Sequence, residues 1–288
     1  FYYSLAEMPI NIALFPILVF IPKFYTGEMG VPLALAANII LAVRIFDVFT
    51  DPVVGYINDR TNTKWGRRRP WIAISTPLLM VSIYMLFIPP EGAGALHLFL
   101  WMFLLSIGTT MLIIPYYAWG AELSPDYNER SRITGWRSIS GVVGSLSAQL
   151  IPTIALVFFG LGCSTNVLYI VGIASVIIMP ICVFLTVLKV PESKDYVQSN
   201  ISPIKGFKIM LENSPFKRLI MAFMFGGIAF SITIPLYLFF ITYVLKAEEM
   251  AIFMLTFFYL TNIIAVPFWV WLSKQIGKHK AYICSFAM

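Results

Sequence analysis

The chain has 288 residues, of which 59% are hydrophobic and only 12% are charged, and its mean hydropathy is +0.83. A soluble globular domain has about half apolar and about a quarter charged residues, so this composition excludes a soluble domain and predicts an all-α, multi-pass membrane protein. The three cysteines provide neither a disulfide framework nor a metal-binding spacing.

Eight apolar segments follow one another along the chain. Each is long enough to cross about 30 Å of hydrocarbon as a helix. They are residues 2–24, 31–57, 70–89, 97–121, 138–161, 166–189, 218–245 and 250–272. The first is too long for a cleavable signal peptide, and it contains a glutamate and three prolines.

The formal net charge of +6 is distributed by topology. Seventeen of the 20 lysines and arginines fall in alternate loops, as expected for the cytoplasmic side of a membrane protein. This pattern predicts a protein of the cytoplasmic membrane with its N-terminus and central polar loop inside the cell. It gives no reason to expect a nucleic-acid partner.

The order of the segments predicts three parts. Residues 1–190 form a six-helix bundle, residues 191–217 a cytoplasmic linker with a short surface helix near 203–213, and residues 218–288 part of a second bundle with helices 7, 8 and the start of 9. The second span of each half ends in a short basic loop, at Gly55–Arg69 and Trp271–Lys280. Two parallel six-span repeats are typical of major facilitator transporters. We therefore expect about eight complete helices of twelve, in a fragment of a longer protein.

Two carboxylates four residues apart lie inside the second apolar segment. Asp47 and Asp51 share one helical face, and charges inside a membrane usually line a cavity or an ion path. Their mutual repulsion favours binding of Na⁺, Li⁺ or a proton between them. The hydroxyls of Thr50 and Thr110 are candidate oxygen ligands. The alternative is a structural ion pair in which Arg44 neutralises one aspartate.

The loop after this segment combines acidic and basic residues. Gly55 allows close helix approach, and Asp59 at a helix C-terminus needs a cationic partner. We predict a conformational latch that also includes Arg60, Arg67 and Arg68. Partners for it are expected in the loop from residue 122 to 137, at Glu122, Arg130 and Arg137. The alternatives are a basic loop that only anchors topology and a merely solvated second loop.

A second group of polar and aromatic side chains suits a solute. Glu7 and Asn11 share one face of the first helix, and Glu7 is able to carry a proton. Tyr116 and Tyr117 on the fourth span are candidates to stack on a sugar ring. The alternatives are bonding between helices for the first pair and an interfacial aromatic belt for the second.

Several of these motifs together resemble one family. They are Arg44-Ile-Phe-Asp47-Val-Phe-Thr50-Asp51-Pro52-Val-Val-Gly55, Asp59-Arg60, Gly66-Arg67-Arg68-Arg69-Pro70-Trp71, Ile114-Pro115-Tyr-Tyr, Glu122-Leu-Ser-Pro-Asp126 and Glu129-Arg130. This combination resembles the glycoside–pentoside–hexuronide:cation symporters, the melibiose-permease branch of the major facilitator superfamily. The resemblance covers the first six spans well and the next two by pattern.

The resemblance implies roles for individual residues. The cation-binding aspartates of the family fall on Asp47 and Asp51, its selectivity position on Thr50 and its fourth-span threonine on Thr110. Its sugar-stacking aromatic falls on Tyr117. Its two acidic sugar ligands, however, fall on Asn11 and near Ile113, so the cation half of the site is retained and the sugar half is altered.

The function expected from the sequence is secondary active transport. A monovalent cation, most simply Na⁺, is coupled to a sugar or glycoside by a monomer in the lipid bilayer, without a cofactor and without enzymatic chemistry. The alternatives are a lysolipid-like or other solute on the same fold, and a non-functional truncated product. An intramembrane aspartyl protease is disfavoured because both aspartates lie on one helix.

Overall fold

The computed structural model describes residues 1–19, 21–159, 164–192, 203–246 and 251–287, and these ranges are almost entirely helical. A 3-10 turn at Tyr2–Ala6 leads into the first of eleven α-helices within the described ranges. They are α1 (Glu7–Val19), α2 (Ile21–Gly27), α3 (Leu33–Arg60), α4 (Arg69–Phe87), α5 (Ala95–Glu122), α6 (Tyr127–Phe159), α7 (Ser164–Lys189), α8 (Pro203–Glu212), α9 (Ser214–Phe239), α10 (Ala251–Ile276) and α11 (Lys278–Ala287). The all-α prediction is confirmed.

Every predicted span contains helix, and the first of them contains α1 and the start of α2. Five helical segments among the described residues are long and apolar enough to cross a membrane. They are Leu33–Arg60, Arg69–Phe87, Ala95–Glu122, Leu168–Lys189 and Phe257–Ile276. A multi-pass helical membrane protein is therefore what the sequence encodes.

The fifth predicted span begins earlier than expected. The sequence predicts a loop as far as residue 137, but α6 starts at Tyr127. Asp126 explains this start, since its carboxylate accepts the backbone N–H groups of Asn128 (2.9 Å) and Glu129 (2.8 Å), as a helix N-cap does. Arg130 and Arg137 consequently lie on a helix, where their side chains have fixed directions.

Contacts divide the chain into two compact units. The first is Phe1–Tyr196 together with Tyr259–Met288, and the second is Val197–Phe258. In the first unit, α5 packs against α3 and α4, α1 against α6 and α7, and α4 against α7. In the second unit, α8 packs against α9. The surface helix predicted near 203–213 is thus present as α8. The domain boundaries given by the sequence stay a prediction.

Glycine permits the close approach of α1 and α6. A Cβ atom added at Gly144 would lie 3.0 Å from the backbone carbonyl carbon of Met8 and 3.1 Å from the Cβ of Asn11. Backbone cannot rotate away as a flexible side chain can, so only a residue without a Cβ fits here. This contact sets the position of Asn11, and of Glu7 one turn before it, relative to α6.

We predict that Gly144→Ala lowers the thermal unfolding midpoint of the purified protein in detergent. Overpacking of a tight contact costs about 1–3 kcal/mol. The matched control is Gly227→Ala within α9, where the added methyl group would meet no described atom within 4 Å and where alanine is the better helix former. Equal midpoints for the two variants would contradict the close α1–α6 contact.

Candidate functional site

Helices α3 and α5 place two carboxylates opposite two hydroxyls. The hydroxyl of Ser106 donates to Oδ1 of Asp47, and the hydroxyl of Thr110 donates to Oδ1 of Asp51 over 2.8 Å. Both pairs are four residues apart on their own helices, so one turn of α3 faces one turn of α5. The structure therefore brings together Asp47, Asp51 and Thr110 as the sequence predicts, and adds Ser106.

Arg44 and Thr50 lie beside this group. The Nη1 atom of Arg44 is 3.3 Å from Oδ2 of Asp47. The Arg44 side chain is 57% exposed and the Asp47 side chain 18%, so the ion pair is partly open and weaker than a buried one. The hydroxyl of Thr50 is directed to its own helix, toward the carbonyl oxygens of Phe46 (3.3 Å) and Asp47 (3.4 Å).

A second polar cluster joins α1, α5 and α6. The Tyr117 hydroxyl donates to Oε1 of Glu7 over 3.1 Å. The Nε atom of Arg137 lies 4.0 Å from Oε2 of the same carboxylate, and its guanidinium sits 4.0 Å from the centre of the Tyr117 ring. Glu7 is buried, and its Oε2 atom has no hydrogen-bond partner among the described residues. The cluster thus combines an acceptor, a cation and an aromatic face.

Asn11 and Tyr116 contribute differently. The side-chain amide of Asn11 donates to the backbone carbonyl of Glu7 over 2.9 Å. Tyr116 is fully buried; its ring stacks on Tyr3 at 4.5 Å, and each of these two hydroxyls donates to the other residue's carbonyl oxygen. These contacts join the start of the chain to α5 and leave no face of the Tyr116 ring open to a solute. This differs from the prediction that Tyr116 stacks on a sugar ring.

Arg68 is the centre of a charged cluster at the other end of α3 and α5. Its guanidinium binds Asp59 at 2.8 Å, Glu122 at 2.8 Å and the side-chain carbonyl of Asn58. Arg67 binds the same Glu122 oxygen at 2.5 Å. The Arg68 side chain is only 5% exposed, so its charge depends on these partners for compensation.

Residues just after the end of α7 also contact this cluster. Oε1 of Glu192 accepts the backbone N–H groups of Arg67 (2.6 Å) and Arg68 (2.7 Å). Gly66, with φ of +111°, turns the chain just before them, and a side chain at this position would collide with the Glu192 carboxylate. Arg69 also binds the carbonyl of Val190 at 2.7 Å. Three helix ends, those of α3, α5 and α7, therefore converge on the start of α4.

For the other predicted latch residues the structure shows contacts with groups other than Arg68, and Arg137 belongs to the cluster with Glu7 and Tyr117. The Arg60 guanidinium stacks on Tyr56 at 4.3 Å, and Arg130 donates to the carbonyl of Ser124 over 2.8 Å.

Lys278 of α11 lies near Arg130, 3.4 Å from the Tyr127 ring centre. Desolvation and then the positive charge of Arg130 lower the pKa of Lys278. Gly55 contacts Ile114 of α5, 3.7 Å from an added Cβ.

Sequence reasoning missed three site residues. Ser106 lies four positions before Thr110, which matches the spacing of the aspartates, so this signal was present in the sequence. Asn58 directly precedes Asp59, which the sequence predicts as part of the latch. The burial of Asn58 beside Arg68, however, depends on tertiary packing. Glu192 is 125 residues from Arg67, and no local pattern links the two.

We predict that Glu192→Ala speeds hydrogen exchange of the Arg67 and Arg68 amides about 10- to 100-fold. Each hydrogen bond to a charged group is worth about 1.5–3 kcal/mol, and local opening governs exchange at such amides. The control is Glu129→Ala, which removes an exposed ion pair with Arg132 at 3.2 Å and leaves the Arg67 and Arg68 amides protected. Unchanged exchange in Glu192→Ala would contradict the clamp, the pair of hydrogen bonds from the Arg67 and Arg68 amides to Glu192.

Comparison with known proteins agrees with this architecture. The family model described as "MFS/sugar transport protein" matches residues 2–288. The sodium-dependent lysophosphatidylcholine symporter 1 of Mus musculus is 26% identical, over 91% of this chain and 56% of its own length. The isoprimeverose transporter of Lactiplantibacillus pentosus is 26% identical, over 98% of this chain and 60% of its own.

A third relative is the putative glycoside/cation symporter YagG of Escherichia coli, which is 26% identical over 79% of this chain and 50% of its own length. The chain thus spans about half to three-fifths of the length of these relatives. Because the family model covers nearly the whole sequence and the helical architecture agrees with it, the chain belongs to the MFS/sugar transport protein family of the major facilitator superfamily.

Proposed function

We propose that this transporter couples a monovalent cation, Na⁺ in the first place, to the movement of a glycoside across the cytoplasmic membrane. The observation that carries the proposal is the facing arrangement of Asp47, Asp51, Ser106 and Thr110. The relatives support it, since one is named as sodium-dependent and another as a glycoside/cation symporter. We expect a monomer in the bilayer, with the N-terminus and the central linker in the cytoplasm.

The cation acts by removing a repulsion. Two ionised carboxylates one helical turn apart destabilise each other, and a cation between them reverses the sign of the interaction. Without the cation, Arg44 compensates part of the charge of Asp47 at 3.3 Å. Cation binding therefore changes which conformation of α3 is favoured, and by linkage a solute that prefers the same conformation binds more tightly.

The solute contacts lie at Glu7, Asn11, Tyr117 and Arg137. The Oε2 atom of Glu7 is an acceptor for a solute hydroxyl, and the Tyr117 ring, 40% exposed, offers a face to a sugar. A lysophospholipid is the second candidate solute, favoured by the relative of that specificity, which matches 91% of this chain. Arg137 is the residue that a lipid phosphate would engage, as an arginine does with phosphate oxygens.

The charged cluster around Arg68 is the conformational latch in this proposal. Its contacts join the ends of α3, α5 and α7 to the start of α4, and they hold this side of the first unit closed. Opening requires new partners for a buried guanidinium, so the closed and open arrangements are discrete alternatives. Asp59, Arg67 and Glu122 are members of this latch, while the roles proposed for Gly55, Arg60 and Arg130 rest on their positions around it.

We predict that Asp51→Asn abolishes the Na⁺ response of the transporter. Replacing the carboxylate by an amide keeps its size and removes the charge that the cation compensates. Thermal stabilisation of the purified protein by NaCl, relative to choline chloride, should disappear, and so should Na⁺-stimulated uptake in proteoliposomes. The unaltered protein should show both responses.

The control for this experiment is Glu91→Gln, which removes a carboxylate from the loop between α4 and α5. It should leave the Na⁺ response unchanged. Full Na⁺ stabilisation of Asp51→Asn, at the same concentration as for the unaltered protein, would overturn the cation site.

We predict that Glu7→Gln weakens binding of a disaccharide such as isoprimeverose about 10- to 100-fold while the Na⁺ response stays intact. A charge-assisted hydrogen bond is worth about 1.5–3 kcal/mol, which corresponds to this range of affinity. The measurement is a thermal-shift titration in the presence of Na⁺, with melibiose, other disaccharides and a lysophosphatidylcholine as ligands.

Melibiose should bind more weakly than other disaccharides, because Asn11 and Ile113 provide no carboxylate where the family carries its two acidic sugar ligands. Na⁺-dependent stabilisation by lysophosphatidylcholine alone would replace the glycoside by the lipid and leave the cation site in place. Strong stabilisation by melibiose would show that the absence of an acidic sugar ligand near Ile113 does not weaken sugar binding.

A further inference from the structure

Helices α3 and α5 run in the same direction with a constant register. Asp47 pairs with Ser106 and Asp51 with Thr110, each across a separation of 59 residues. One turn further on, at the same separation, Gly55 lies against Ile114. Because the register is maintained at three successive positions along two helical turns, the position of Ser106 opposite a carboxylate is a property of the helix pair and not of one rotamer.

The opposite side of α5 fixes its rotation. A Cβ atom at Gly108 would lie 2.9 Å from Cδ2 of Leu79, so α4 and α5 are in close contact there. With this side held against α4, the residues two before and two after Gly108 are directed to α3. The neighbouring hydroxyl, that of Thr109, donates instead to the carbonyl of Leu105 in its own helix over 2.7 Å.

A serine hydroxyl that donates to a carboxylate still has two lone pairs. Those of Ser106 lie beside Asp47, and those of Thr110 beside Asp51. Na⁺ and Li⁺ are hard cations that prefer oxygen ligands such as carboxylates and hydroxyls. The oxygen atoms offered to a cation at the two aspartates therefore come from both helices, carboxylate oxygens from α3 and hydroxyl oxygens from α5.

We propose that Ser106 supplies an oxygen ligand to the coupling cation and determines the preference of the site for Na⁺ or Li⁺ over a proton. This inference rests on the cation site proposed above. A proton needs one carboxylate oxygen and no further ligand, whereas a metal cation loses affinity with each oxygen removed. Ser106 thus discriminates between the two kinds of coupling ion.

Thr50 is a poorer candidate for this role. Its hydroxyl lies 3.3 Å and 3.4 Å from two carbonyl oxygens of α3, and it belongs to the same helix as both carboxylates. Ser106 comes from a different helix, so a cation bound to it also joins α3 to α5. Selectivity for the cation at this site therefore depends on α5, whereas the family resemblance assigns it to Thr50 of α3.

The test is Ser106→Ala, with Ser106→Thr as the conservative variant and Thr109→Val as the matched control. Na⁺ and Li⁺ dissociation constants are measured by thermal-shift titration of the purified transporter in choline buffer. Ser106→Ala should raise both constants about tenfold, the scale of one hydrogen-bond-strength ligand. Ser106→Thr keeps the hydroxyl and should stay within about threefold of the unaltered protein, as should Thr109→Val.

Competition with protons provides a second readout. At a fixed, saturating Na⁺ concentration, the pH at which acid displaces Na⁺ should rise by about one unit in Ser106→Ala, because a tenfold weaker site is displaced by a tenfold lower proton concentration. A purely structural role in joining α3 to α5 would lower the unfolding midpoint in choline buffer and leave this pH unchanged.

The outcomes separate the two proposals. Unchanged Na⁺ and Li⁺ constants in Ser106→Ala, in a protein whose response is lost in Asp51→Asn, would overturn the role of Ser106 and leave the cation site standing. A shift of equal size in Thr50→Val would return selectivity to position 50 and also overturn it. No Na⁺ response in the unaltered protein would overturn both.

Discussion

The parallel packing of α3 against α5 is the constraint on which the candidate sites depend. A carboxylate inside a membrane is costly unless a polar group or a cation meets it, and α5 provides a hydroxyl opposite each of two carboxylates. Gly55 of α3 lies against Ile114 of α5, and Gly108 on the opposite side of α5 allows close approach of α4 at Leu79. The hydroxyls of α5 thus compensate the carboxylates of α3 in a chain that is otherwise strongly apolar.

The same two helices carry the charged cluster at their other end. Asp59 lies in the last turn of α3 and Glu122 ends α5, and Arg68 at the start of α4 binds both. A shift of α5 along α3 would disturb the hydroxyl–carboxylate pairs and these ion pairs together. The proposed cation site and the proposed latch therefore share one structural element, the packed pair α3 and α5. A free-energy change at one of these sites alters the stability of the other without a chain of intermediate contacts.

How far the sequence predicts this structure depends on the range of each interaction. Hydropathy and charge predict the helices and their membrane character, because both depend on local composition, and the spacing of Asp47 and Asp51 predicts their common face. The start of α6 lies earlier than hydropathy predicts, because Asp126 caps the helix ahead of its apolar part. The clamp at Glu192 and the pairing of Arg137 with Glu7 join residues more than 120 positions apart, and only the folded bundle brings them together.

The separation of the two polar groups bears on why relatives of one family carry such different solutes. Arg137, Glu7 and Tyr117 form their cluster from α6, α1 and α5, whereas the carboxylates and hydroxyls of the proposed cation site come from α3 and α5. Substitutions on α1 and α6 therefore alter the proposed solute contacts without changing the proposed cation ligands. Helix α5 contributes to both groups, with Thr110 in one and Tyr117 two turns later in the other. Under the proposed function, exchange of a sugar for a lipid calls for changes around Tyr117, and coupling to the cation depends on the register of α5 with α3.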